Sequence, residues 1–405
     1  MFSYENGANG GYYEKIISII YGLVYGVNWM FKWWGHDSTD EGKKVELEIG
    51  VEKSYVPYFE EVTETYTEEH PNVTFKVTES KMFDILDSLE AQKGNSADIF
   101  MMPNDRVGDL AQKKLVADLG DVDLSKYTET AQTATEFEGG HYFLPFSTDT
   151  TLLLYNKTLT DSQPKTLKEL NPKDWAAKFT DFYVAGGLFY SNGSYIFGDN
   201  TDDIGLNNEG AYATGKVVKE LYNSGEDHWE ALKEETAGYE QMVEKFAKGE
   251  LTYIIDGPWK VADLVSAGLA EENIGAMPIP SWDGTNEYKP LTSTKGLAVN
   301  AYCKDKEEAI NFIKSLATKE NAEKWYTSTK EVNPHTEVVY EDGSLAKVVL
   351  DATSKGTSMP TDPAFGKVWV PMADALKQIA NGGDVKESLD SAIEIIKNDI
   401  AAMNQ

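Results

Sequence analysis

The 405-residue chain carries 67 acidic and 37 strongly basic residues, a formal charge of -30, on a soluble-protein composition of 41% hydrophobic and 26% charged residues. That charge excludes a nucleic-acid binder, whose affinity comes from neutralising phosphates, and disfavours adhesion of the main body to anionic membranes. The length allows two or three domains, and the single cysteine, Cys303, excludes an internal disulfide or a Cys-rich metal site.

Residues 1–43 do not read like the rest. Residues 16–34 are apolar and aromatic, and Trp29, Trp33 and Trp34 supply three of the nine tryptophans. Glu5 and Glu14 spoil a basic n-region and no small-residue cleavage site follows, so neither a signal peptide nor a lipid-anchor cysteine is evident. The stretch between Lys15 and Lys32 is short for a membrane span, which needs about 20 residues. A helix lying at a membrane interface fits better. Residues 35–42 form a polar linker. We expect residues 1–43 to be an appended segment that contacts a membrane, a lobe or another copy. It is either an engineered fusion peptide or a native anchor. The alternative is an extra helix packed on the first lobe through Ile16, Ile20, Leu23, Val27 and Phe31.

From Lys44 the pattern is α/β. Val45, Leu47, Ile49 and Val51 alternate as a strand, and a helix spans 55–69. A second strand covers 73–77, and the next helix turns Met82, Ile85, Leu86 and Leu89 to one face. The run 98–102, between Gly94-Asn95-Ser96 and Pro103, reads as a buried strand, and helical spacing resumes from Arg106 to Leu115. Strand–helix alternation at this spacing implies parallel pairing with right-handed crossovers. Further on, 152–157, 181–184, 195–197, 251–255, 274–280 and 296–302 are strand-like. Helices are expected over 167–179, 211–222, 307–329, 366–380 and 385–403.

Arg106 is the only arginine in the chain. Its planar fork of donors is not equivalent to a lysine ammonium. It sits just past a strand's carboxyl end, where ligands bind in open α/β sheets. The plainer reading is an Asp105 cap beside a surface arginine. The P-loop-like Gly210 to Lys216 lacks the following Ser or Thr and lies in helical pattern, so no nucleotide site is expected. No Gly-x-Ser-x-Gly elbow, histidine cluster or complete calcium loop occurs, so neither metal nor cofactor is expected. Aromatic residues do stand beside polar turns, in Asp256-Gly257-Pro258-Trp259, Phe365 to Trp369 and Phe189 to Gly193. Flat rings with charged hydrogen-bonding partners suit a carbohydrate cleft, although any one ring could equally fill a core.

Asp98-Ile99-Phe100 followed by Asn104 to Gln112, then Leu154-Tyr155-Asn156-Lys157, Lys248-Gly249-Glu250 with Ile255 to Trp259, and Met359-Pro360 with Phe365 and Trp369 stand in one order. From about residue 44 this set resembles the extracellular solute-binding proteins of ABC sugar importers, in their maltose/maltodextrin branch. The resemblance implies an α/β, two-lobed periplasmic-binding-protein fold, each lobe a mostly parallel sheet flanked by helices, with the ligand cleft between lobes. It implies a first lobe of 44–148 and 297–348 and a second of 149–296 and 349–405. By position, Glu52, Lys53, Lys81, Asp105, Arg106 and Asp149 would bind sugar hydroxyls. Trp259, Trp369 and Phe189 or Tyr190 would stack on sugar rings, with Met359 beside them. Met102 stands where the best-known relatives have a first-lobe Trp, and Ala373 where some have Arg. The implied role is extracytoplasmic binding of maltose or maltodextrin and delivery to a membrane ABC permease, at the cell surface or in the periplasm. A glycoside-active enzyme is the alternative.

Overall fold

The computed structural model describes residues 43–403 except residue 235. The N-terminal segment, with the anchor, fusion or extra helix expected there, lies outside the described residues.

Alternating burial makes the strands. In β1 (Val45–Val51), Val45, Leu47, Ile49 and Val51 are buried while Glu46 is exposed. β2 (Val73–Glu79) and β3 (Ile99–Pro103) both pair parallel to β1. The chain continues through a small hairpin, β4 (Glu136–Phe137) and β5 (Gly140–His141), into β6 (Leu144–Thr150) and β7 (Leu152–Asn156). It then forms β8 (Trp175–Ala177), β9 (Tyr253–Asp256), β10 (Ile274–Met277), β11 (Leu291–Val299) and β12 (Thr357–Ser358). The larger sheet runs β12-β11-β3-β1-β2, with β6 added to β11. The smaller runs β10-β7-β9-β8. The first is mixed: β12–β11, β3–β1 and β1–β2 run parallel, while β11 runs antiparallel to both β3 and β6. In the second, only β8 and β9 run parallel, because β7 and β10 pair antiparallel.

Helices cover both faces of the larger sheet. α1 (Val56–Glu69) packs Tyr58, Phe59 and Val62 with Phe146 and Trp325 on one face. On the other, α2 (Met82–Gln92) and α3 (Val107–Gln112) bury Ile85, Leu86, Leu89, Val107 and Leu110 with Phe100 and Met102. Gly50 is what lets α2 approach: a Cβ there would lie 2.8 Å from Ile85 Cδ1. The second core joins β7 to β10 with α4 (Phe182–Ser191), α7 (Leu345–Lys355), α8 (Trp369–Ala380) and α9 (Val385–Met403). Between them in sequence, α5 (Lys306–Ser315) and α6 (Lys319–Thr329) belong to the first lobe's side through Phe312 and Trp325.

Several expected elements differ. Residues 181–184 start a helix, because Asp181 caps it by accepting from Tyr183 N at 2.9 Å. Residues 167–179 are two single turns and β8, since Pro172 opens a new turn under the Asn171 cap. Residues 195–197 are loop, with Tyr195 lying over Gly205. The helix expected over 307–329 is two, broken at Leu316 and restarted by the Thr318 cap on Asn321 N. The lobe boundaries expected at 148/149 and 296/297 fall inside β6 and β11, which are paired strands of the larger sheet, and the one expected at 348/349 falls inside α7. The chain leaves the larger sheet after Thr150, through the buried Thr151, and re-enters it at Leu291.

Candidate functional site

Strand direction brings the expected residues to one rim. β1, β2 and β3 are parallel, so Glu52 and Lys53, Lys81, and Asp105 with Arg106 all follow carboxyl ends on the same edge of the larger sheet. Glu52 Oε1 accepts from Met82 N at 2.9 Å, which ties the first strand's end to the start of α2. Asp105 is half-buried. That burial raises its carboxyl above the usual range, only partly offset by the Arg106 guanidinium. Arg106 reaches Asp87 on α2 at 3.3 Å, keeping its fork at the rim. Asn104, fully buried, accepts from Thr294 N and donates to the Met359 carbonyl, which fixes the turn carrying Asp105 and Arg106.

The smaller sheet offers the facing rim. β8 and β9 end on the side where β7 begins, since Leu152 pairs with Asp256. Asp149 at the end of β6, Tyr183 at the start of α4, and Trp259 after β9 therefore converge where the chain crosses lobes. Tyr183 Oη donates to Asp149 Oδ1 at 3.3 Å, and its ring lies 6.0 Å from that of Trp259. Trp259 is 43% exposed, with its ring laid over Gly257, where a Cβ would come within 2.1 Å. Only glycine leaves room for the indole to lie flat there.

Asp149 belongs to a charged network that the motifs did not reveal. Lys295 on β11 lies 3.8 Å from Asp149 and 3.5 Å from Glu331, and Tyr55 donates to Glu331 Oε1 at 2.6 Å. One ammonium thus serves two carboxylates, the three groups coming from three separate chain segments. Burial alone would lower the Lys295 pKa, yet Glu331 and Asp149 outweigh it and hold the ammonium above the ordinary lysine value. Burial pushes the Asp149 carboxyl up, and Lys295 counters this while Glu331 reinforces it.

A second buried acid supports Trp259. Asp256 accepts from Tyr239 Oη and from Gly257 N, each at 2.8 Å. Burial nevertheless raises its pKa to about 6, against those bonds and Lys260. An acid whose folded pKa is raised favours the folded state below its unfolded value and loses that contribution as pH rises through about 6. The stability of the parent relative to Asp256→Asn should therefore fall by roughly 2–3 kcal/mol between pH 3.5 and pH 7.5, at about 1.4 kcal/mol per unit. Urea-unfolding midpoints of both proteins across that range measure it. A difference that is constant with pH would mark Asp256 as an ordinary carboxylate.

The remaining expected residues divide. Trp369 is part-exposed, its ring packed on Phe365 at 4.7 Å and Phe182 at 6.0 Å. Phe189 is a correction: it is fully buried in the second core, edge-on to Phe182, and offers no face to a ligand. Tyr190 is half-buried, and burial raises its hydroxyl to about 12. Met359 is also in that core, 5% exposed, and contributes its carbonyl to Asn104 rather than its side chain to a cleft. Lys53 and Lys81 are exposed. Cys303 is buried, and burial holds its thiol far from reactivity at about 12. Tyr55, Tyr183, Lys295 and Glu331 are the members that sequence reasoning missed. Among the described residues no His/Cys/Asp/Glu group could hold a metal, and no helix is long and apolar enough to cross a membrane.

The bacterial extracellular solute-binding protein family matches residues 61–350. Among relatives, the maltodextrin-binding protein MdxE of Bacillus subtilis (strain 168) is 30% identical over 90% of this chain and 92% of its own length. The maltooligosaccharide ABC transporter solute-binding lipoprotein of Streptococcus pneumoniae (strain ATCC BAA-255 / R6) is 29% identical over 88% and 89%. Among solved structures, the maltose-binding periplasmic protein MalE of Listeria monocytogenes in complex with maltose superposes with a TM-score of 0.81 at 26% identity. It covers 89% of this chain and 98% of that one.

Proposed function

The chain belongs to the bacterial extracellular solute-binding protein family, and from that premise we propose that it captures a maltodextrin-type oligosaccharide between its two lobes. It passes the sugar to a membrane ABC permease, at the cell surface or in the periplasm. The names of its relatives support this reading. So does one observation above the rest: a half-exposed indole, Trp259, stands beside the hinge carboxylate Asp149 and the Tyr183 hydroxyl. A flat apolar face next to charged acceptors meets the two sides of a pyranose, CH faces and hydroxyls. Asp105 and Arg106, with Glu52, Lys53 and Lys81, would supply the opposing hydroxyl contacts from the first lobe. The family is one of binding proteins, so the glycoside-active alternative is set aside.

Calorimetry with maltotriose, with a galactose-based trisaccharide as comparator, tests the proposal. Saturable binding of maltotriose with the sugar recovered intact is the expected result. Steady release of glucose or maltose would overturn the binding reading, and preference for the galactoside would overturn the assigned sugar class.

A further inference from the structure

Met102, within β3, is fully buried in one cluster with Phe100, Val107 and Leu110, so that position gives the first lobe no exposed aromatic face. One is supplied elsewhere. Phe83, in the first turn of α2, is 53% exposed while its neighbour Met82 packs inward. Its direction follows from two ion pairs on the same helix. Residues 83, 87 and 90 are spaced four and three apart and share a face. Asp87 meets Arg106 at 3.3 Å, and Glu90 meets Lys113 at 3.5 Å. The stripe therefore faces the segment that runs from Arg106 through α3. Toward the helix N-terminus lies the rim, since α2 begins directly after the carboxyl end of β2 and is tied to Glu52 there. Along that stripe the order from depth to rim is Glu90–Lys113, Asp87–Arg106, Phe83. At 1.5 Å per residue, Phe83 stands about 6 Å rimward of Asp87.

We propose that Phe83 is a sugar-stacking residue of the first lobe, placed beside Arg106 to receive one ring of the oligosaccharide. This rests on the saccharide reading above and adds a binding residue to it. An exposed phenyl in a helix turn tied to Glu52 is held in place at low conformational cost, and a sugar's CH face would cover apolar surface now facing water. Arg106 alongside would take the hydroxyls of the same ring, held by Asp87.

The test is titration of maltotriose into the parent and into Phe83→Ala, Phe83→Leu and Phe83→Tyr, with thermal unfolding of each. Because the side chain is exposed, unfolding temperatures should stay together. Phe83→Ala and Phe83→Leu should both weaken binding on the order of tenfold, the equivalent of one good ring contact. Phe83→Tyr should bind within about twofold of the parent. Parent-like affinity in Phe83→Ala, or in Phe83→Leu, which keeps bulk without a flat face, would overturn the stacking role while leaving the saccharide reading intact. A parent that does not bind maltotriose would overturn both.

Discussion

Lys295→Met should destabilise the protein by about 3 kcal/mol, the low end of what removing one partner of a buried ion pair costs. Met keeps the length and apolar stem of the side chain, so the loss comes from charge. Without the ammonium, Asp149 and Glu331 face each other with no cation, and Glu331 Oε2 has no hydrogen-bond partner to fall back on. Lys295 is four-fifths buried, so water screens little of this repulsion. The long separations, 3.5 and 3.8 Å, place the expected value at the lower end. The deficit should shrink as pH falls, because protonating either carboxyl removes the conflict. A triple variant, Lys295→Met with Asp149→Asn and Glu331→Gln, should recover most of the loss at pH 7. Urea midpoints for the three proteins measure it, and a single-variant loss below about 0.5 kcal/mol would mean the network is solvated and weak.

Trp259→Ala should separate binding from folding. The indole is 43% exposed and lies outside the second core, over Gly257 and beside the Tyr183 ring, with its side chain hydrogen-bonded to Asp256. Removing it should cost the unliganded protein about 1 kcal/mol, the worth of that hydrogen bond. Removing it from a bound sugar discards a large rigid contact next to the hinge, and such sites typically lose ~2 kcal/mol or more, about thirtyfold in Kd. Calorimetry with maltotriose reads the loss, and the unliganded unfolding temperature confirms that the fold is intact. Binding within twofold of the parent would make Trp259 a surface residue without a ligand role. Trp369 is a poorer probe, since its ring also fills space between Phe182 and Phe365.

The first lobe was legible because β1 alternates cleanly and turn residues frame β3, so Asp105 and Arg106 could be placed at a carboxyl edge from residues alone. The second lobe was harder. α4 is buried nearly all round, with Phe182, Ala185, Leu188 and Phe189 inside, so its sequence has no polar stripe to reveal a helical period. That hid Tyr183, and it made Phe189 look like a loop aromatic. The hinge network was invisible for another reason: Tyr55, Asp149, Lys295 and Glu331 are far apart in the chain and meet only after folding. One clue was available. Lys295 is the sole charge in β11, and Asp149 the sole charge in β6, two strands otherwise apolar or small. Phe83 read as one more residue of an amphipathic helix, and only its exposure sets it apart.

The position of β11 has a consequence for how the chain acquires its structure. This strand stands between β3 and β6 in the middle of the larger sheet, yet it is made almost 200 residues after β3, whose Phe100 pairs with Ala298. Pairings so distant in sequence must overcome a large loop-closure entropy, and they slow folding. Until residue 299 has been synthesised, β3 and β6 both present open edges that nothing in the earlier chain fills. The second lobe waits as well, since α7, α8 and α9 complete its core from the last sixty residues. The first lobe's core is complete in sequence at Trp325, and the second only with Ile400. Most of the chain must therefore exist before either core can close, so the long-range pairings are expected late, after the greater part of synthesis.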